Sequence, residues 1–313
     1  MSSIGRPLVT IAIPTYNRAD YFLKQALKSA LDQTYQNIEI IVSDNCSTDN
    51  TESVVRDFSD SKIQYFRQTT NIGANNNFNF CVQVAKGEYF LLLQDDDLID
   101  PDFIEVCLKG ASYATNYGII SDATRMIDEG GSINDTFSNN VSGLSTVEFF
   151  RGWFAGKTAL YLCSTLFNTK GLKEIGGFKS KHNLFQDVVA EVQLAARFGR
   201  VDIRDVKASF RKHGIEMTFS VKVSMWCEDS LELLELMCDL VSDRQDIIRD
   251  EGFHFFARLN YRRARAVRPT VQRMIAYLIV FRMFKYKYLP PIFLFSPRNP
   301  VYRMLRSVKR SMV

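Results

Sequence analysis

The stretch G-E-Y-F-L-L-L-Q-D-D-D-L-I-D-P, Gly87 to Pro101, joins a short apolar run to three adjacent carboxylates. Tyr89 to Leu93 shows no alternation of polar and apolar residues, the pattern of a strand buried on both faces of a parallel sheet. Ligands of open α/β sheets bind beyond the carboxyl ends of strands, so Asp95, Asp96 and Asp97 are expected at such a crevice. Three clustered anions repel one another, and a hard divalent cation bound through oxygen turns that repulsion into affinity. The simpler alternative is a polar turn ahead of a helix. Asp100 and Pro101 suit that alternative as N-cap and first-turn residue of a helix reaching about Tyr113, but it leaves the other three acids without a role.

Upstream, the same strand-then-polar-loop unit recurs. Leu8 to Ile13 predicts a strand, Thr15-Tyr16-Asn17-Arg18 a loop, and about Asp20 to Leu31 a helix with Asp20 as N-cap. Ile38 to Val42 predicts a second buried strand that ends in the small polar run Ser43 to Thr51. A helix from Thr51 to about Phe58 and a strand near Ile63 to Phe66 follow. Asn71-Ile72-Gly73 then opens a helix to about Ala85. Alternating strands and helices imply an α/β fold with right-handed crossovers and a mostly parallel sheet. Neither G-x-G-x-x-G after the first strand nor G-x-x-x-x-G-K-[ST] occurs, so a dinucleotide fingerprint and a P-loop are both excluded.

Four ordered segments resemble the inverting glycosyltransferases of family 2, which have the GT-A fold. They are I-P-T-Y-N-R (Ile13 to Arg18), D-N-C-S-T-D-N-T (Asp44 to Thr51), N-I-G (Asn71 to Gly73) and K-G-E-Y-F-L-L-L-Q-D-D-D (Lys86 to Asp97). The resemblance implies that Thr15, Tyr16, Arg18, Asp44 and Asn71 face the nucleotide of a nucleotide-diphosphate sugar donor. It also makes the acidic cluster the family's D-x-D motif, which binds Mn²⁺ or Mg²⁺ bridging the diphosphate. Gln94 stands where many members carry the first acid. Asp96 aligns with the usual metal ligand, and Asp95 and Asp97 are left to share metal, ribose or sugar.

Further on, Gly176-Gly177-Phe178 followed by Phe185-Gln186-Asp187 resembles the family's G-G-F…E-D segment, with Gln186 replacing the glutamate. That implies Asp187 as the general base, since an acceptor hydroxyl is a weak nucleophile until a carboxylate takes its proton. Helix N-capping is its structural alternative, and Glu191, one turn on, is the runner-up base. Phe210-Arg211-Lys212-His213-Gly214 resembles the motif closing the catalytic domain, which implies Arg211 at the diphosphate and His213 at the diphosphate or metal. Between these segments, Ile119 to Ser121 and Ala159 to Phe167 read as strands, 122–140 as a variable loop, and Ser145 to Phe154 as a helix. Trp153 and Phe154 read as packing residues ahead of sugar-stacking ones.

The chain has 313 residues, 46% hydrophobic and 24% charged, with six cysteines and no C-x-x-C pair. This composition describes a globular protein with reduced core cysteines, and the N-terminus shows no signal-peptide core. The net charge of +4 conceals an asymmetry, because Gly252 to Val313 holds 14 Lys and Arg and no acid, leaving 25 bases against 35 acids elsewhere. Ser230 to Val241 predicts an amphipathic helix with Leu231, Leu234, Met237, Cys238 and Val241 on one face. Met274 to Phe281 and Tyr288 to Phe295 are apolar, but neither reaches the roughly 20 residues of a membrane span. A basic, aromatic segment of this kind fits an anionic membrane surface, with a soluble helical subdomain as the alternative and nucleic acid behind both for want of a motif.

The expected organisation is a GT-A catalytic domain over 1–220, with a donor half of about 1–100 and an acceptor half of about 101–220, and a helical basic extension over 221–313. The expected activity is sugar transfer to a saccharide or lipid-linked saccharide in surface-polysaccharide assembly, at the cytoplasmic face of a membrane. A non-catalytic sugar-nucleotide-binding relative is the alternative, and a nucleotidyltransferase ranks lower because Ile13 to Arg18 lacks the Gly-rich loop. Oligomerisation is left open.

Overall fold

The computed structural model describes residues 5–19, 21–213, 221–285 and 288. Asp20, Gly214 and the apolar stretch after Tyr288, each singled out above, lie outside the described residues. The chain divides into two compact units, Met1–Glu216 and Met217–Val313.

The first unit is built on a nine-stranded sheet. Its parallel half comprises β1 (Val9–Thr15), β2 (Ile38–Asp44), β3 (Ile63–Arg67) and β4 (Tyr89–Leu92), in the order β3-β2-β1-β4. Helices α1 (Tyr21–Leu31), α2 (Thr51–Arg56) and α3 (Ala74–Val84) make the crossovers. Every residue of β1, β2 and β4 is buried, whereas β3 at the edge is only half-buried, which follows from helices covering both faces of the central strands. Gly87 lets the chain enter β4 against β1, since a Cβ there would stand 2.6 Å from the Thr10 nitrogen.

The sheet continues through β8 (Thr165–Asn168), β6 (Ile119–Ile127), β9 (Arg200–Arg211) and the two-residue β5 (Leu98–Ile99), with β7 (Ile133–Phe137) paired to β6. Antiparallel β4–β8 and β6–β8 pairings and a parallel β6–β9 pairing make this half mixed. Around it lie α4 (Phe103–Gly110), α5 (Thr146–Phe154), α6 (Thr169–Glu174) and α7 (Gln186–Phe198). Ser145 and Glu148 close a reciprocal capping box at the start of α5. At its end Trp153 and Phe154 are half-buried against each other, with ring centroids 5.7 Å apart.

Three local expectations change. Asp100 and Pro101 do not start the helix: β5 intervenes, the Asp100 amide donates to the Lys207 carbonyl at 2.7 Å, its carboxylate takes the Arg125 guanidinium, and α4 begins at Phe103. The variable loop over 122–140 instead contains the rest of β6 and the β7 hairpin. Ser121, Asp122 and Thr124 are polar yet buried in β6, where the Asp122 carboxylate accepts from the Lys207 amide at 2.9 Å, so no hydrophobic pattern marks this strand. The strand expected from Ala159 is a short 3₁₀ turn, Leu162–Ser164, leading into β8.

The second unit comprises α8 (Val223–Asp239), α9 (Gln245–Ala266) and α10 (Thr270–Met283). Leu234, Met237, Cys238 and Val241 are buried as the amphipathic pattern implies, joined by Leu233, while Leu231 is only partly covered. A buried polar chain joins α8 to α9: Asn260 Nδ2 donates to Ser230 Oγ at 2.9 Å, and Ser230 Oγ donates to the Trp226 carbonyl at 2.6 Å. The Arg263 guanidinium lies 3.6 Å over the Trp226 ring, and burial lowers its pKa to about 10.

Candidate active site

The polar loops after β1, β2 and β4 share one edge of the sheet because these three strands run parallel as neighbours. Thr15, the last residue of β1, pairs in register with Asp44, the last of β2, and the Leu93 amide donates to the Ala12 carbonyl at 2.9 Å. The amide of Asp97 then donates to the Gln94 carbonyl at 3.1 Å, closing a turn with Asp95 and Asp96 at its tip. The three acids are therefore not equivalent. Asp95 and Asp96 stay partly exposed, and Asp97 turns into the protein.

The turn is completed from residues more than a hundred positions away. Immediately after it, β5 pairs antiparallel with β9, Leu98 opposite Ser209, so the end of β9 runs alongside the acids. The Arg211 amide donates to Asp97 Oδ1 at 2.8 Å, and His213 Nε2 approaches Asp96 Oδ2 to 2.6 Å. The His213 ring also stacks on Phe22 of α1, with centroids 5.9 Å apart. Asp97 Oδ2 is buried and has no hydrogen-bond partner among the described residues. Burial first, and the neighbouring Asp96 charge second, push the Asp97 carboxyl well above the ordinary range. Cys163, also buried, has its thiol pushed well above the ordinary range by burial first and by the Asp97 charge second.

Arg211 departs from its expected place at the diphosphate. Its guanidinium is 1% exposed and satisfied within the protein: Nε donates to the Asp96 carbonyl at 2.7 Å, Nη1 to the Asp128 and Glu129 carbonyls at 3.1 and 3.0 Å, and Nη2 to Gln25 Oε1 at 2.7 Å. Its positive charge lies 4.7 Å over the Phe22 ring. Arg211 thus pins the acidic turn, α1 and the β6–β7 hairpin together. Nothing in the spacing of Gln25 and Phe22 announced this contact, because it exists only once β9 has been laid beside β5.

Of the residues expected at the nucleotide, Arg18 faces the turn, its Nε 3.7 Å from Asp95 Oδ1. Tyr16 is 44% exposed, and Thr15 Oγ1 is buried with no partner among the described residues. Asp44 is 1% exposed and organises its own loop: it accepts from the Tyr65 hydroxyl at 2.5 Å and from the Ser47 amide at 2.8 Å. Asn71 is likewise engaged locally, accepting from Asn45 Nδ2 and from the Gly73 amide, each at 2.9 Å. Tyr65 and Ser47 are the partners that the sequence did not single out.

Asp187 is not an N-cap, since α7 starts at Gln186 and Phe185 holds the cap position. Its carboxylate sits half-buried in the first turn, accepting from the Val188 amide at 2.9 Å, and burial raises its pKa above the ordinary value. Glu191 is fully buried, accepts from Thr165 Oγ1 at 3.0 Å, and is pushed well above the ordinary range by burial and then by Asp187. Tyr161, stacked on Phe210, has its hydroxyl pushed up to about 12 by burial and by the charges of groups that include Asp97 and Asp187.

As a cation site, the donor set is small. Among the described residues no group of three or more His, Cys, Asp or Glu surrounds a common point. Asp96 and His213 do converge, and an oxygen plus an imidazole nitrogen fit Mn²⁺ when phosphate oxygens and water complete the shell.

Comparisons with known proteins bear on the family and the fold. Residues 10–174, just over half of the chain, match the family model described as Glycosyl transferase family 2. An uncharacterized glycosyltransferase of Rickettsia felis is 37% identical over 190 residues, 58% of this chain and 30% of that protein. The chain therefore spans less than a third of that relative's length. A GalNAc(5)-diNAcBac-PP-undecaprenol beta-1,3-glucosyltransferase of Campylobacter jejuni is 29% identical over 211 residues, 64% of this chain and 66% of that protein. Among solved structures, S. aureus TarS 1-349 in complex with UDP-GlcNAc superposes with a TM-score of 0.66 at 17% identity, covering 92% of this chain and 82% of that one. The mannosyltransferase PcManGT from Pyrobaculum calidifontis, in complex with GDP-Man and Mn²⁺, gives 0.56 at 16% identity, covering 98% and 81%. At these identities the superpositions establish the GT-A fold alone. With its family match running from β1 through α6 and its acidic turn at the end of β4, the chain belongs to glycosyl transferase family 2.

Proposed function

We propose that this chain is an inverting glycosyltransferase that moves a sugar from a nucleotide-diphosphate donor to a hydroxyl of a saccharide or lipid-linked saccharide, in surface-polysaccharide assembly. The observation that carries the reading is the meeting of Asp96 and His213 at the carboxyl edge of β1, β2 and β4. Thr15, Tyr16 and Arg18 line the donor side, and Asp44 and Asn71 hold the two loops in shape. Arg18 and Asp95 orient the ribose and phosphates. Asp96 and His213 would hold Mn²⁺ or Mg²⁺, which when bound would supply charge stabilisation for the departing diphosphate. Asp97 and Arg211 act behind this pair as positioning residues. Asp187 takes the proton of the acceptor hydroxyl, and its raised pKa makes it a better proton acceptor than an ordinary aspartate. The donors in the solved complexes, UDP-GlcNAc and GDP-Man, support the donor class, and the undecaprenol-linked substrate in the Campylobacter relative's name supports the acceptor class.

Gln94 and Gln186, where the family usually has acids, favour a second reading as a donor-binding relative without turnover. A panel of nucleotide sugars with Mn²⁺ and lipid-linked acceptors separates the two. Asp96→Ala is expected to lower turnover by at least about a hundredfold. Asp187→Asn is expected to lower it by roughly 10² to 10⁴ while donor binding persists. Donor binding by the wild type with no transfer or hydrolysis across the panel would sink the catalytic reading.

A further inference from the structure

The second unit carries an apolar face that its described helices leave uncovered. On α10, Val271 is 71% exposed, Leu278 63%, Ile275 52% and Met274 41%, while Ala276, Tyr277 and Val280 on the opposite side are buried. At about 100° per residue, Val271, Met274, Ile275, Leu278 and Arg282 fall within a sector of about 100°, so the exposed residues form one stripe ending in a cation. Exposed Arg262, Arg265 and Arg268 precede the helix, and exposed Arg282 and Lys285 close it. No acid occurs from Gly252 onward. The helix is too short and too charged to cross a bilayer, and among the described residues no helix is long and apolar enough to do so.

We infer that α10 lies in the plane of an anionic lipid surface, its Val271–Leu278 stripe entering the acyl boundary and its flanking arginines reaching the headgroups. Charge selects this occupant. A second copy would bring an equally basic, acid-free segment against the stripe, and residues 289–313 of the chain add five more cations and no anion. Anionic headgroups match the cations, and long Arg and Lys stems let the apolar residues sink while the charges stay at the interface. The inference does not depend on the donor-site reading.

The test is co-sedimentation of the full chain with phosphatidylcholine vesicles and with vesicles in which part of that lipid is replaced by phosphatidylglycerol. Binding to the anionic vesicles should be at least about tenfold stronger and should weaken as salt is raised. Ile275→Ser with Leu278→Ser should reduce it about tenfold at unchanged thermal stability, because two aliphatic side chains no longer leave water. Arg282→Glu should weaken binding to anionic vesicles only. Equal binding of the double variant and wild type overturns the inference, as does absence of any preference for anionic lipid. If the wild type ignores vesicles and the double variant converts a dimer to a monomer, the stripe belongs to a second copy instead. Donor hydrolysis in solution is measured alongside, and its presence or absence bears only on the active site.

Discussion

Glu191 shows how much depends on where a carboxyl is put. One helical turn beyond Asp187, it is fully buried with one oxygen taken by Thr165 and the other without a partner among the described residues. Its pKa is raised by folding, so it stabilises the fold below the unfolded value near 4.5 and loses that contribution as pH rises through the folded value. Glu191→Gln removes the loss. Urea denaturation of both proteins from acidic to alkaline pH should therefore show the variant gaining on wild type as pH rises, and a constant difference would mean that Glu191 does not titrate in the native state. For Asp187 the same direction of shift has a kinetic consequence: kcat should fall on acidification at a pH above the ordinary aspartate value of 3.8. Arg211 is the opposite case, a buried cation whose three guanidinium nitrogens all donate within the protein. Replacing it by Lys leaves carbonyls of Asp96, Asp128 or Glu129 unpaired, and should destabilise the fold by about 2–3 kcal/mol in chemical denaturation.

At the scale of elements, the two-residue strand β5 decides the site. It follows the acidic turn at once and pairs with β9, carrying Arg211 and His213 to residues 114 to 117 positions earlier. A second junction is the Gly176-Gly177-Phe178 segment, where both glycines have positive φ, 82° and 78°. A Cβ on Gly177 would fall 2.1 Å from Asn79 Oδ1, which accepts from the Phe178 amide while Asn79 Nδ2 donates to the Phe178 carbonyl. Gly177→Ala should therefore cost about 1–3 kcal/mol and lower Tm measurably in calorimetry. These glycines were legible in the sequence as a motif, and their reason became visible only with Asn79 of α3 beside them. β6 was half-legible: Ile119 to Ser121 read as a strand, and the continuation through Asp122 and Thr124 did not, because these polar residues break the apolar pattern and the Lys207 amide that Asp122 accepts from lies 85 positions away.

For the molecule as a whole, ligand and fold are linked by mass action. A nucleotide sugar with Mn²⁺ at about a hundred times its Kd should stabilise the catalytic unit by about 2.7 kcal/mol. For a unit of 216 residues that corresponds to a Tm increase of roughly 5–10 °C in differential scanning fluorimetry, reversed by a chelator and absent in Asp96→Ala. A shift without metal, or an unchanged one in the variant, would remove the cation from the donor site. The sequence by itself determined the α/β class, the buried strands β1, β2 and β4, the polar loops at their ends and the charge asymmetry of the chain, because apolar runs and turn residues act through neighbours close in sequence. Only the tertiary structure decided that Asp97 turns inward while Asp96 meets His213, that Arg211 is spent on carbonyls, and that one face of α10 stays bare. Burial, pairing and satisfied hydrogen bonds are relations between distant segments, and no local pattern of residues encodes which partner each side chain will meet.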